Sequence, residues 1–289
     1  SRESLVVTSL EVDRRSGRLY VGTEGEGVFY SDDHGQTLES GSVGLAEGRV
    51  SDLVPDPSEP ARVFFFRAYG GEESGVWEAQ GMRVRRVSVD PLPPAASLAA
   101  FKDAAEKTVL VLSSSSGVRF SRDGGQHWSA LTGAPPGTPI ALFGAPFPTP
   151  ILVTSAGVFR ATDGARRFDP IPGAPAAPAA AELLLGPDGQ PLLQVRSAEG
   201  LERWNGQIWS PYRQGVLKGG LFLRESGSAP AVSYSTLEDI DGTLVWQEGS
   251  RKLSLTAPRP GLALAAAASA PGGLVYVGTT GDGLYLFEP

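Results

Sequence analysis

Leu19-Tyr20-Val21-Gly22-Thr23-Glu24-Gly25-Glu26-Gly27-Val28-Phe29-Tyr30 reads as two short strands joined by a glycine turn, and Ser31-Asp32-Asp33-His34-Gly35-Gln36-Thr37-Leu38 as a compact polar turn into a third strand. The phrase returns at the far end of the chain as Leu274-Val275-Tyr276-Val277-Gly278-Thr279-Thr280-Gly281-Asp282-Gly283-Leu284-Tyr285. Weaker copies lie between. Anchored on the glycine that opens the third strand, the copies fall at Gly27, Gly75, Gly117, Gly157, Gly200, Gly242 and Gly283, 40 to 48 residues apart.

A period of that length with strand-and-turn units is the signature of a β-propeller, in which each blade is a four-stranded sheet. One blade cannot bury both of its faces, whereas a closed ring buries them all and shields the edges. The period predicts an all-β, seven-bladed propeller of antiparallel blades, a single domain over 1–289. The blades run approximately 7–48, 49–96, 97–138, 139–178, 179–220, 221–261 and 262–289. The last is expected to be three-stranded or incompletely closed, because few residues precede the first strand and none follows Pro289. Strands are expected at Val7 to Asp13, Arg18 to Thr23 and Val28 to Ser31 in the first blade, and at Leu221 to Arg224 and Ala231 to Ser235 in the sixth. A helical turn is possible at Lys102 to Lys107. Ala174 to Ala181 is Ala-rich, but Pro175 and Pro178 make it an inter-blade loop.

The bulk numbers agree. The 289 residues include 37 Gly and 24 Pro, yet 41% are hydrophobic, which suits many short strands and turns rather than helices or disorder. The net charge of −7 argues against non-specific nucleic-acid binding. With no cysteine there is no disulfide, thiolate metal site or cysteine nucleophile. Only Lys102, Lys107, Lys218 and Lys252 are lysines, and the Ala, Pro, Gly and Arg usage points to a GC-rich bacterial genome. The longest apolar run, Gly261 to Ala270, is too short for a membrane span. The chain reads as a mature or excised domain, extracytoplasmic (periplasmic or secreted) and monomeric.

The turn after the third strand repeats as Ser-x-Asp-x-Gly-x-x-aromatic. Ser121, Asp123, Gly125 and Trp128 fit it fully; Ser31, Asp33 and Gly35 fit with Leu38 in the aromatic place. In the fourth copy Asp163 and Phe168 remain, with Ala161 and Ala165 replacing Ser and Gly. This resembles the Asp-box (BNR) repeat of sialidases, sortilin-like propellers and the photosystem II assembly factor family. The resemblance implies a structural box, away from the binding face. The residue types fit that role: the carboxylate accepts turn hydrogen bonds, glycine takes positive φ, and the aromatic packs between blades. The plain hairpins of other copies, as at Arg203-Trp204-Asn205-Gly206-Gln207-Ile208-Trp209, resemble propellers of bacterial sensor ectodomains.

A sialidase needs three arginines, a tyrosine nucleophile with a glutamate, and an aspartate acid; the Arg-Ile/Leu-Pro phrase that carries its first arginine is absent, and Arg67, Arg196 and Arg224 lie at strand ends. His34 and His127 both fall in box turns, with no third ligand to complete a metal site. Glu238-Asp239-Ile240-Asp241-Gly242 lacks the later ligands of a calcium loop. No catalytic residue, metal or cofactor is therefore assigned.

What remains is a loop face. The second-to-third-strand turns carry Glu24, Glu26, Glu72, Glu73, Glu199, Glu238, Asp239, Asp241 and Asp282, with Tyr69, Arg67 and Arg196. The inter-blade loops add Arg49, Tyr212, Arg213, Lys218 and Arg259. The expected binding face thus comprises Glu24, Glu26, Arg49, Arg67, Tyr69, Glu72, Arg196, Arg213 and Asp239, acidic with a basic sector. The reading is a non-enzymatic scaffold or binding module for a protein or carbohydrate partner. The alternatives are a glycoside hydrolase of Asp-box type and a ligand-sensing ectodomain of a larger bacterial receptor.

Overall fold

In a computed structural model of the chain, the described residues are all except 1–4, 14–15, 42–47, 69–73, 82, 145–146, 186–190, 213–219, 223–234, 241–242, 249–250, 256–263, 270–274, 280–282 and 288–289. They form strands and turns, with no helix among them.

Each sheet is antiparallel and keeps its strands in chain order. The first holds β1 (Val7–Val12), β2 (Leu19–Thr23), β3 (Val28–Ser31) and β4 (Glu39–Ser40). The second holds β5 (Arg49–Pro55), β6 (Arg62–Ala68), β7 (Gly75–Gln80) and β8 (Arg83–Arg86). The third holds β9 (Ala95–Lys102), β10 (Thr108–Ser114), β11 (Gly117–Ser121) and β12 (Ser129–Ala130). The fourth holds β13 (Pro139–Phe143), β14 (Ile151–Thr154), β15 (Gly157–Thr162) and β16 (Arg167–Pro170). The fifth holds β17 (Ala180–Leu185), β18 (Pro191–Ser197), β19 (Gly200–Trp204) and β20 (Trp209–Tyr212). The sixth holds β21 (Gly220–Phe222), β22 (Ser235–Ile240), β23 (Thr243–Glu248) and β24 (Arg251–Leu255). The last, of β25 (Leu264–Ser269), β26 (Val275–Thr279) and β27 (Leu284–Phe287), has three strands among the described residues.

The second strand of a sheet is sandwiched on both faces, so β2, β10 and β14 are buried throughout. They read as near-continuous apolar runs rather than as alternation. The aromatic run of β6 shows where the two faces go. Phe64 and Phe66 pack with Leu98, Leu110 and Trp128 of the third sheet, while Phe65 points the other way onto Tyr20, Val28 and Val50. All three rings are fully buried, worth up to about 3 kcal/mol each in transfer free energy. Each hydrophobic cluster likewise lies between consecutive sheets, so the core is distributed along the seams.

The first strands pack on one another in succession, β1 on β5, β5 on β9, β9 on β13 and β13 on β17, with β21 on β25 and β25 back on β1. The return contact repeats the forward one. A Cβ on Gly22 would meet Val50 Cγ1 at 2.8 Å, and one on the equivalent Gly278 would meet Val7 Cγ1 at 2.3 Å. Gly25 N donates to Gly48 O (3.1 Å) and Gly283 N to Leu5 O (3.2 Å), so at both seams a turn amide, the two standing two places apart in the repeat, bonds the equivalent carbonyl of the lead-in to the next sheet.

Three expectations need correction. The second strand of the sixth sheet is described over β22, Ser235–Ile240, with 231–234 of the expected Ala231 to Ser235 outside the described residues, and Glu238 and Asp239 lie in this strand, paired with Val245 and Leu244, instead of in a turn. Tyr212 ends β20 rather than lying in an inter-blade loop. Lys102 to Lys107 makes a turn, not a helical one: the Asp103 carboxylate accepts the amides of Ala105 (2.9 Å) and Lys107 (3.1 Å) and so takes the place of a backbone acceptor.

Candidate functional site

Two regions bear on function, at opposite ends of the strands. At one end the turn from β2 to β3 meets the lead-in to β5. An isolated antiparallel bridge joins Glu24 to Arg49. Thr23 Oγ1 donates to Gly27 O (2.8 Å) and accepts Glu26 N (3.1 Å), which sets the turn that carries Glu24 and Glu26 outward. Glu24, Glu26 and Arg49 are all exposed. Arg67 is 5% exposed rather than solvated at a strand end. Its guanidinium lies 5.2 Å from the Trp77 ring centroid, and the position of a Cβ on Gly48 would be 2.7 Å from its Nε. It therefore supports this corner from below. Arg196 is half-buried in β18, on the turn side of the fifth sheet. Tyr69, Glu72 and Arg213 lie outside the described residues, as does the side chain of Asp239. The structure thus brings Glu24, Glu26, Arg49 and Arg67 to one corner.

The Ser-x-Asp-x-Gly turns occupy the other end. Asp33 accepts Ser31 Oγ (2.7 Å), Thr37 N (2.9 Å) and Thr37 Oγ1 (2.6 Å), and Ser31 Oγ in turn accepts Gly35 N (2.8 Å). The hydroxyl and amide of Thr37, with the Ser31 hydroxyl, hold the Asp33 carboxyl down at about 2. Asp123 repeats the pattern with Ser121 Oγ (2.8 Å), Gln126 N (3.0 Å) and His127 N (3.0 Å), and His127 Nδ1 lies 2.7 Å from it. Burial pushes the Asp123 carboxyl up, but the amide and ring of His127 and the Ser121 hydroxyl outweigh it and bring it to about 2. Each turn leans on the preceding sheet: a Cβ on Gly35 would meet Tyr276 at 3.1 Å, and one on Gly125 would meet Val87 at 3.0 Å. In the fourth sheet Ala161 and Ala165 are buried, Phe168 packs toward the third sheet, and Asp163 adopts φ +51° with no hydrogen bond to its carboxylate among the described residues.

The fifth sheet has no such turn. Trp204 stands where Ser31 and Ser121 stand, and the chain turns back at once, Asn205 N donating to Ile208 O (3.4 Å) and Asn205 Oδ1 accepting Gln207 N (3.0 Å). Beside this short hairpin a cavity of about 880 Å³ opens between the fourth and fifth sheets. Its apolar wall is Phe147, Ile151, Leu192 and Trp204; its rim is Arg160, Thr162, Asp163 and Asn205. Trp204 stacks on Trp209 with centroids 6.1 Å apart and is tilted against Phe147 at the same distance. Asp163 is the one carboxylate among the described lining residues. No group of three metal-ligating side chains occurs among the described residues. Sequence reasoning missed this cavity; the brevity of the 205–208 turn was its signal.

Solved structures share this architecture along nearly the whole chain. The GH74 xyloglucanase from Xanthomonas campestris matches 99% of it with a TM-score of 0.70 at 16% identity. The fold is a β-propeller. YCF48 from Cyanidioschyzon merolae matches all of the chain over 97% of its own length, with a TM-score of 0.63 at 12% identity. The extracellular domain of the putative one component system BT4673 from B. thetaiotaomicron matches 99% of the chain with a TM-score of 0.63 at 13% identity. The chain spans 43% of the xyloglucanase and 38% of the BT4673 domain. No family model and no curated protein matches the chain. Among the described residues no helix is long and apolar enough to cross a membrane.

Proposed function

We propose that this chain is a non-catalytic binding module, a single seven-bladed propeller over residues 1–289 that presents its turn-and-lead-in end to a protein partner. The observation that carries this reading is the corner at Glu24, Glu26 and Arg49. Two acids and a base are exposed there, on backbone pinned by the Glu24–Arg49 bridge and the Gly25–Gly48 bond. Charges fixed in advance cost little to order on docking and select a complementary surface. On the sequence alone we extend this face to Tyr69, Glu72, Arg196, Arg213 and Asp239, of which only Arg196 has a described side chain. Seven blades are supported by the seven sheets and by the likeness of the last seam to the first. The Ser-x-Asp-x-Gly turns serve as structural Asp-boxes.

The neighbours favour the same direction. One solved structure is YCF48 bound to D1 peptide, a propeller matched over 95% of its length at 14% identity, so a ring of this size accommodates a polypeptide. Hydrolysis of a glycosidic bond takes two carboxylates across a cleft, and among its described lining residues the cavity has one, Asp163. An extracytoplasmic location fits the extracellular neighbour, and we take the protein as a monomer.

Quantitative affinity capture from the native host tests the reading, comparing the wild type with a Glu24→Lys, Glu26→Lys, Arg49→Glu variant. The expected result is one protein retained by the wild type and lost from the variant, with direct binding weakened at least tenfold when both are purified. Equal retention by the variant, or turnover of a polysaccharide panel by the wild type, overturns it.

A further inference from the structure

The cavity between the fourth and fifth sheets is a consequence of two missing fillers. At the seam of the last and first sheets, Tyr276 of β26 and the turn at Gly35 meet and close the space. At the seam of the first and second sheets the second sheet has only a hairpin, but Tyr20, in the place equivalent to Tyr276, is 2% exposed and fills the gap with Val63 and Phe65. At the seam of the second and third sheets Gly125 and Trp128 pack among Val76, Val87 and Leu110. Ile151 holds the tyrosine's place at the seam of the fourth and fifth sheets, and the facing turn is the short 205–208 hairpin. Neither ring nor turn is supplied, and about 880 Å³ is left, the size of a small-ligand site.

We propose that this cavity is a second binding site, independent of the loop face, that takes an aromatic side chain borne on a turn of a partner polypeptide. The fold itself shows what fits: at two other seams the equivalent space is filled by a tyrosine ring, at a third by a turn carrying Trp128, and between the third and fourth sheets by the turn that carries Ala165 and Phe168. The wall of Phe147, Ile151, Leu192 and Trp204 is apolar and aromatic, suited to a ring. The rim offers both signs of charge, Arg160 and Asp163, and the amide of Asn205, suited to the peptide groups that flank such a side chain. Ile208, on the hairpin that bounds the opening, is 63% exposed, an apolar lip beside a polar rim.

Methyl NMR of the isoleucine- and leucine-labelled protein tests this with three probes: N-acetyl-tryptophanamide, indole, and a backbone-cyclised peptide of sequence SRDGGQHWS, that of residues 121–129. The peptide and the amide are expected to shift the Ile151 and Leu192 methyls saturably. Ile151→Tyr, which supplies the ring that Tyr20 and Tyr276 supply at their seams, is expected to weaken both at least tenfold, read at Leu192, with Tm unchanged or higher. Leu192→Trp fills the same space from the opposite wall should Ile151→Tyr misfold. The Glu24→Lys, Glu26→Lys, Arg49→Glu variant is expected to bind the probes as the wild type does, so this site and the loop face fail separately. Binding of indole without the peptide or the amide overturns the polypeptide occupant, as does concentration-dependent self-association abolished by Ile151→Tyr, which makes a second copy the occupant. Absence of saturable shifts, or filled variants that bind like the wild type, overturns the site.

Discussion

Asp33 and Asp52 are the same side chain in opposite circumstances. Asp33 is half-buried and surrounded by donors, and its carboxyl sits at about 2. Asp52 is at φ +50° in a bulge of β5, where Ser51 and Val54 break the register with β6. Burial pushes its carboxyl up to about 7, against the opposing pull of the Leu98 amide and the Arg49 charge. A carboxyl raised above its unfolded value is neutral in the fold at mild acidity, and its contribution is complete below about pH 4. That contribution falls away as pH rises through about 7. Asp52→Asn keeps the amide contact and tolerates the left-handed backbone. The variant is expected to unfold at higher urea than the wild type at pH 8, with the difference gone by about pH 4, as followed by tryptophan fluorescence. Neither this carboxyl nor the burial of Arg67 is legible in the sequence. Arginine at a strand end is ordinarily solvated, and only the approach of Gly48 and Trp77 encloses this one.

At the scale of the element, hairpins were legible because turn chemistry and apolar runs agree. The bounds of β3, Val28 to Ser31, coincide with those the sequence predicts. The slip in the sixth sheet has a physical reason. Glu238 and Asp239 read as loop residues, but strand formation depends on the partner, and Leu244 and Val245 opposite them hold the ladder. The Ser-x-Asp-x-Gly turns were legible too, since each residue type answers one need. Their carboxyls, depressed to about 2, stabilise the fold above about pH 4 and lose that contribution as pH falls toward 2. The double variant Asp33→Asn, Asp123→Asn is expected to have a lower Tm at pH 7 and a flatter decline of Tm below pH 4 than the wild type, measured by calorimetry. The cavity was not legible for the opposite reason: it arises from a turn that is absent and from a branched side chain, Ile151, where Tyr20 and Tyr276 stand in the first and last sheets.

At the scale of the molecule the period alone pointed to a ring, because sheets that bury both faces must meet neighbours on each side. The seam between the last and first sheets rests on tight packing: Gly278 leaves no room for a methyl group beside Val7. Gly278→Ala is expected to lower stability by about 1–3 kcal/mol in urea titration, the range for overpacking. Adding Val7→Ala is expected to recover part of that loss, a positive coupling between residues at opposite ends of the chain.

The strand pairings that build each sheet join consecutive segments of chain, so they form over short loops and soon after collapse. The contact of Val7 with Gly278 is different, since almost the entire chain must be ordered before those residues meet. Ring closure is therefore the late event in folding. Loop-closure entropy grows only with the logarithm of length, so the delay comes chiefly from waiting for every intervening sheet to assemble. A partly built ring leaves the seam faces of β1, β2 and β26, with Leu10, Val21 and Tyr276, open to water and to other nascent chains. The period during which those faces stay open sets how readily the protein aggregates as it folds.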